Sequence, residues 1–420
     1  MEFIRRIVGV MLFAAVLSAT SVLAAGDKKP NSVGPQQVKA KVLAEFDIPR
    51  DGSDQITIPI TLKSGTYRLL FDMTRTVSVF DVTLRDQLGG SLGNRTVTWT
   101  DGRTRTFEAF RWPDAKIGKL PVNLDGPVAC NDFQYIRQFW RLPVHGTLGL
   151  DFWKKHVIRL DSDRGKMTIL SAAPSDSGTR IPIEFSKGGS PLITVKLPGK
   201  QESKCLLEPG IFATMLLHPD RFNKLVSQGH LHPAERSRYL HSVFSKMYEV
   251  GGTLDRVKVG SFTHRAVGVV STKKYTANYD SVGLKFFARY LVTLDLPNKC
   301  LYLKKGEGFD RSDYGQHSGM ICGMKSIGKS TTITVKKVSD GTPAQKAGFL
   351  PGDVITLINK EDVRKLSIFR IFETYAFFRK VTMAVKRDNK KLSLTMIPEA
   401  KPKESEKKVK QVKKKTAKKK

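Results

Sequence analysis

The chain has 420 residues, a formal net charge of +32 from 71 Lys and Arg against 39 Asp and Glu, and 40% hydrophobic residues that include 23 Phe. That apolar content excludes a chain disordered throughout, and the length left after a leader suffices for two to four domains with buried cores. The positive balance favours partners with negative surfaces, such as anionic lipid head groups, cell-wall polymer or nucleic acid, although nothing resembles a nucleic-acid-reading motif and no specific nucleic acid is expected.

Residues 1–25 read as a secretory signal peptide: Arg5 and Arg6 lead, 7–17 form the apolar core, and Val22-Leu23-Ala24 supplies the small residues before a cut. The core is too short to span a bilayer comfortably, an uncleaved anchor being the alternative. The expected destination is the periplasm, cell envelope or exterior. Residues 26–39, with Pro30, Pro35 and several Lys, read as a flexible arm. Strands are predicted at 55–62, 67–71 and 77–82, with Lys63-Ser64-Gly65 as an intervening turn. The spacing over 131–140 is helical, and Phe133, Tyr135, Phe139 and Trp140 read as core. After a polar break at 173–179, Arg180-Ile181-Pro182-Ile183 opens a second series of strands.

The two series echo each other. Leu69-Leu70-Phe71-Asp72-Met73-Thr74 is an apolar run that delivers one acid into a turn, and Cys205-Leu206-Leu207-Glu208-Pro209-Gly210 does so again 136 positions later. Leu148-Gly149-Leu150-Asp151-Phe152 and Leu160-Asp161 return 134 positions on as Val282-Gly283-Leu284-Lys285-Phe286 and Leu294-Asp295. Ile60-Thr61-Leu62-Lys63 returns as Ile193-Thr194-Val195-Lys196. A period this long means duplicated domains, not a solenoid.

This layout resembles the pepsin-like and retropepsin-like aspartic peptidases, in which each lobe gives one Asp-Thr-Gly turn and a later apolar-apolar-Gly segment. The resemblance implies β lobes at 40–174 and 175–305, with Asp72 and Glu208 as the candidate catalytic dyad across a cleft. The turns depart from the family pattern: Asp72-Met73-Thr74 and Glu208-Pro209-Gly210 stand for Asp-Thr-Gly, and Lys285 stands where the first lobe has Asp151. In the family the Thr of each turn fastens it to the opposite lobe, so these turns are expected to lack that fastening. Glu208 also carries an extra methylene, and a misplacement of about an angstrom can cost roughly a hundredfold in rate.

His218, His230, His232 and His241 fit no common zinc spacing and read as surface or capping residues, so neither a metal nor a cofactor is expected. Of the four cysteines, Cys205 and Cys300 are the expected intradomain pair, with simple burial as the alternative.

The stretch Gly341-Thr342-Pro343-Ala344-Gln345-Lys346-Ala347-Gly348-Phe349-Leu350-Pro351-Gly352-Asp353-Val354-Ile355 resembles the bacterial type of PDZ domain, placed at 312–398. Its local chemistry predicts a short helix with Thr342 at the N-cap, Pro343 first and a left-handed Gly348 after it. A turn at Pro351-Gly352 leads to a strand at 354–358, a second helix at 366–378, and strands at 381–386 and 392–397. The resemblance implies a peptide-binding edge that starts at Ser318, Gly319, Met320 and Ile321, where backbone N–H groups hold a carboxylate and the strand accepts an extended peptide. Ser318 stands where the family carries an apolar residue. The helix at 366–378 would be the groove wall, with Ile368, Phe369, Ile371 and Phe372 as candidates for both groove and core, most of them core. Residues 399–420 form a Lys-rich tail; its last twenty residues hold eleven Lys and two Glu, a run that repels itself and is expected to stay disordered.

The expected fold is therefore mainly β: duplicated aspartic-peptidase-like β lobes, an α+β PDZ domain and a disordered basic tail. The expected function is an exported, non-catalytic scaffold that binds peptide or protein segments, including C-terminal ones, with anionic surfaces met by the tail. Its alternatives are an active aspartic endopeptidase using Asp72 and Glu208, and a basic structural protein of the cell envelope.

Overall fold

The computed structural model describes residues 40–397, apart from 99–103, 123, 125, 235–237, 243–244, 274–277, 312, 314–317, 328–329 and 377–379. The expected signal peptide and arm, and the Lys-rich tail, lie outside the described residues. The fold is mainly β, with a separate sheet and two short helices at its C-terminal end. Among the described residues no helix is long and apolar enough to cross a membrane.

Thr57–Leu62 alternates less and more buried positions, as a strand covered on one face must. Gly65–Phe71 ends differently, with Leu69, Leu70 and Phe71 buried in succession, so its last turn of chain is covered on both faces before Asp72 emerges. Two nine-stranded sheets form what we call the first and second lobes, and a six-stranded sheet takes strands from both halves of the chain. At the middle of that shared sheet Val157–Asp161 pairs antiparallel with Tyr290–Asp295, and Arg159 lies opposite Thr293, its counterpart 134 positions on. The repeat therefore meets itself there.

Each lobe contains the same strand arrangement. Gly146–Leu148 lies parallel to Gly65–Phe71 and antiparallel to Val79–Asp81. Asp280–Gly283 lies parallel to Gln201–Glu208 and antiparallel to Met215–Leu216. The glycines that mark the repeat explain their own identity: a Cβ on Gly149 would sit 2.9 Å from the Arg75 carbonyl oxygen, and one on Gly283 would sit 2.4 Å from that of Ala213. Just beyond them the N–H groups of Leu150 and Leu284 donate to the carbonyls of Arg75 and Ile211, both at 2.8 Å and both three residues after an acid. The backbone after each acid packs so closely on the later segment that only glycine fits.

The C-terminal sheet runs in the order Met320–Ile327, Ser330–Val338, Val354–Ile358, Val381–Arg387, Lys390–Met396, over its own core of Ile333, Val335, Phe349, Ile355, Met383 and Val385. Gly348 has the left-handed φ of +83° that ends the short helix Pro343–Lys346. Thr342 is the N-cap, but its hydroxyl donates to the Ser339 carbonyl at 2.6 Å and makes no side-chain cap. The second helix starts two residues later than its apolar pattern and is described over Ile368–Ala376. The 131–140 segment likewise holds a single π-helical stretch, Ile136–Trp140, after the strand Val128–Asn131.

The expected Cys205–Cys300 bridge does not form, and none of the four cysteines is in a disulfide. Cys205 belongs to the second-lobe sheet and Cys300 to the shared sheet, where its thiol donates to the Asn298 carbonyl at 3.1 Å. Burial pushes the Cys205 thiol far up, so it behaves as a small apolar residue.

Candidate functional site at the lobe junction

Asp72 is delivered by the buried end of Gly65–Phe71 and is then gripped by its own turn. One oxygen, Oδ1, accepts from the Thr74 N–H at 2.9 Å, the Thr74 hydroxyl at 2.9 Å and the Arg75 N–H at 3.1 Å. The other, Oδ2, meets Arg75 Nε at 2.9 Å. Glu208, at the end of Gln201–Glu208, accepts a hydrogen bond from the Ser281 hydroxyl at 2.8 Å. Burial pushes the Glu208 carboxyl up to about 7; the Ser281 bond opposes that rise, and the nearby Asp72 charge adds to it. The two acids thus share one electrostatic neighbourhood in unequal environments.

The turns are tied to opposite lobes by groups that a motif does not show. Ser190 of the second lobe donates its hydroxyl to the Thr74 carbonyl at 3.2 Å, and Gln55 of the first lobe donates its side-chain amide to the Gly210 carbonyl at 3.2 Å. The expectation of unfastened turns is corrected on this point: hydroxyls are missing within the turns, but the cross-lobe bonds are supplied from outside them. Thr147, the counterpart of Ser281, is buried with its hydroxyl unpartnered among the described residues. A hydroxyl residue two positions before the glycine landmark in both repeats was the one available sequence signal for Ser281.

The helix Ile368–Ala376 docks against this junction. Ile368 and Phe369 are buried in one cluster with Leu70, Val79, Phe133, Trp140 and Val144 of the first lobe. The Phe369 ring lies 4.5 Å from that of Trp140 and 5.1 Å from that of Phe212, four residues after Glu208. Around that aromatic contact, Ser367 donates to Asp54 Oδ2 at 2.7 Å, and Arg141 donates to the Val363 carbonyl at 2.7 Å. Lys285, only 8% exposed, forms an ion pair with Glu373 and lies 4.4 Å from the centre of the Phe212 ring. The lysine that breaks the repeat is therefore the second lobe's anchor for the C-terminal helix, whereas its counterpart Asp151 accepts from Ser78 N–H and hydroxyl at 2.8 and 2.7 Å.

The expected peptide edge lies elsewhere on the C-terminal sheet. Met320–Ile327 occupies the end of the strand order, paired with Ser330–Val338 alone among the described residues, and exposes Ile321 and Met324. Gly319 enters it at φ +76°, where a Cβ would fall 2.2 Å from Thr342. Ser318 is buried and its hydroxyl accepts the Met320 N–H at 3.2 Å. Of the expected wall residues, Ile368 and Phe369 are spent on the first lobe, buried in the cluster around Trp140. Phe372 stands on the same helix, its side chain outside the described residues.

Among the described residues no group of three or more His, Cys, Asp or Glu is placed to hold a metal ion. His218 caps Pro219–Ser227 by accepting the Asp220 N–H at 3.3 Å, and His230 and His232 both face Asp255. His241 has a side chain outside the described residues.

These features define a mainly β protein with a duplicated double-lobed body and a C-terminal peptide-binding module. Residues 321–397 match the PDZ domain family, and this part of the chain is a PDZ domain. A 73-residue stretch is 40% identical to the metalloprotease MmpA of Caulobacter vibrioides, which covers 17% of this chain and 18% of that protein. The chain thus matches under a fifth of that relative's length.

Proposed function

We propose that the protein is an exported peptide-binding scaffold on an aspartic-peptidase-like body, with the PDZ edge as its ligand site and no cleavage at the lobe junction. The observation that carries the binding role is the one-sided strand Met320–Ile327 entered through Gly319 at φ +76°. Its outer edge, which pairs with no second strand among the described residues, offers an extended peptide a ladder of hydrogen bonds, and Ser318, Gly319, Met320 and Ile321 form the end that meets a terminal carboxylate. The repeated strand arrangement and the shared sheet support the aspartic-peptidase-like reading of 40–305. The Arg75 grip on Asp72 and the helix seated beside Phe212 support a non-catalytic junction. A peptide array read with free and amidated C-termini tests the binding role: binders that ignore amidation, or an array with none, refute it.

A second reading, an active endopeptidase, is favoured by one observation. Glu208, pushed up to about 7, stands near Asp72 on turns cross-tied by Gln55 and Ser190, an unequal acid pair of the kind that activates water. Cleavage that Asp72→Asn abolishes would establish it.

A further inference from the structure

The second lobe carries a cavity of about 910 Å³ to which neither Asp72 nor Glu208 contributes. Its walls come from four strands, Pro191–Leu197, Gln201–Glu208, Ser245–Val259 and Phe262–Ser271, with Arg289 and residues 309–311 closing one side. Pairing across them places like charges face to face: Lys196 lies opposite Lys258, and Arg256 lies opposite Arg265. All four are exposed, while the intervening Val257 and His264 are buried beneath them. Like charges directly opposite on a sheet are destabilising, so two such rungs side by side call for a compensating anion.

The protein's own acids supply it only in part. Glu202 reaches Lys196 at 3.4 Å. At the cavity's far side Arg289 is taken by Asp313 at 2.6 Å and Arg311 by Asp51 at 2.9 Å. Lys200, Arg256, Lys258 and Arg265 have no acidic partner among the described residues, and Asp310 is the one remaining acid on the wall. His264 adds no charge of its own, since burial, helped by Arg289, pushes it down to about 4. Two guanidinium forks with two or three ammonium groups around them match a ligand that carries several charged oxygens on each centre.

We propose that this cavity binds a polyanion bearing at least two phosphate groups, held by Lys196, Lys200, Arg256, Lys258 and Arg265. The phosphates come either from a soluble phosphorylated compound or from the head groups of anionic lipid.

Titration calorimetry of the full chain with inorganic tripolyphosphate tests the site. The expected result is saturable binding at one site per chain, weakened about tenfold or more in Arg256→Gln/Arg265→Gln. The control Lys63→Gln/Lys119→Gln removes the same charge from the first lobe and should leave affinity within about twofold, since distant exposed charges are screened. Without ligand at low salt, Arg256→Gln/Arg265→Gln should melt no lower than the parent, because repulsion is relieved; if that variant fails to fold, Lys196→Gln/Lys258→Gln gives the same comparison. Displacement of tripolyphosphate by phosphatidylglycerol vesicles points to lipid, and resistance to it points to a soluble ligand; either sustains the site. Non-saturable binding, or equal weakening in the control, overturns the proposal.

Discussion

Glu373→Gln isolates the contact that seats the PDZ helix against the second lobe. The substitution keeps the side chain's shape but takes the Glu373 carboxylate away from the Lys285 ammonium, 8% exposed. Removing one partner of a buried pair costs about 3–5 kcal/mol, and the 18% exposure of Glu373 lowers this case to or just below that range, about 2–3 kcal/mol. The Phe212 ring beneath Lys285 retains part of the cation's stabilisation. At 1.4 kcal/mol per factor of ten, amide exchange across Ile368–Ala376 should accelerate by about thirty- to hundredfold if this helix opens as a local unit. Lys285→Met/Glu373→Met removes both charges, and its exchange should return to within about tenfold of the parent, because a well-packed apolar pair often replaces a buried ion pair at little cost. Unchanged exchange in Glu373→Gln, or a double variant as open as the single one, would refute the anchoring role of this pair.

Three further outcomes follow from the same geometry. Glu208 has its folded pKa raised from 4.5 to about 7, so its contribution to stability is full below pH 4.5 and is lost as pH rises through about 7; Glu208→Gln should flatten the stability profile across that window, by no more than about 3 kcal/mol, as read by chemical denaturation at each pH. Ser318→Ala releases the Met320 N–H from the Ser318 hydroxyl and should tighten binding of a free C-terminal peptide by a few-fold, about 1 kcal/mol, measured by fluorescence polarisation. Thiol titration in denaturant should count four free cysteines in the purified protein.

The sequence made the duplication readable because its markers are glycines that backbone contact demands. Gly149 and Gly283 cannot change without a clash, so they persist as visible landmarks while the turns around Asp72 and Glu208 diverge. The PDZ segment was readable for a similar reason: a short helix with Pro343 at its start and a left-handed Gly348 just past its end is local chemistry. What was hidden is long-range. Ser190 to Thr74, Gln55 to Gly210 and Lys285 to Glu373 join residues 116, 155 and 88 positions apart, and none of these residues belongs to a motif that announces its partner. Ile368 and Phe369 show the same limit, since an apolar helix face does not say whether it faces a peptide groove or a neighbouring lobe. Arg75 was in plain view next to the first acid, but its grip on Asp72 depends on the tightness of a turn that only the structure displays.

The most direct test incubates the full protein with a mixed library of peptides bearing free C-termini, from acid to neutral pH, and reads both retention and product masses. The account predicts peptides that are retained intact, with retention lost in Gly319→Val, whose side chain would clash with Thr342 2.2 Å away. Peptide fragments that appear with the parent protein and vanish with Asp72→Asn would contradict it.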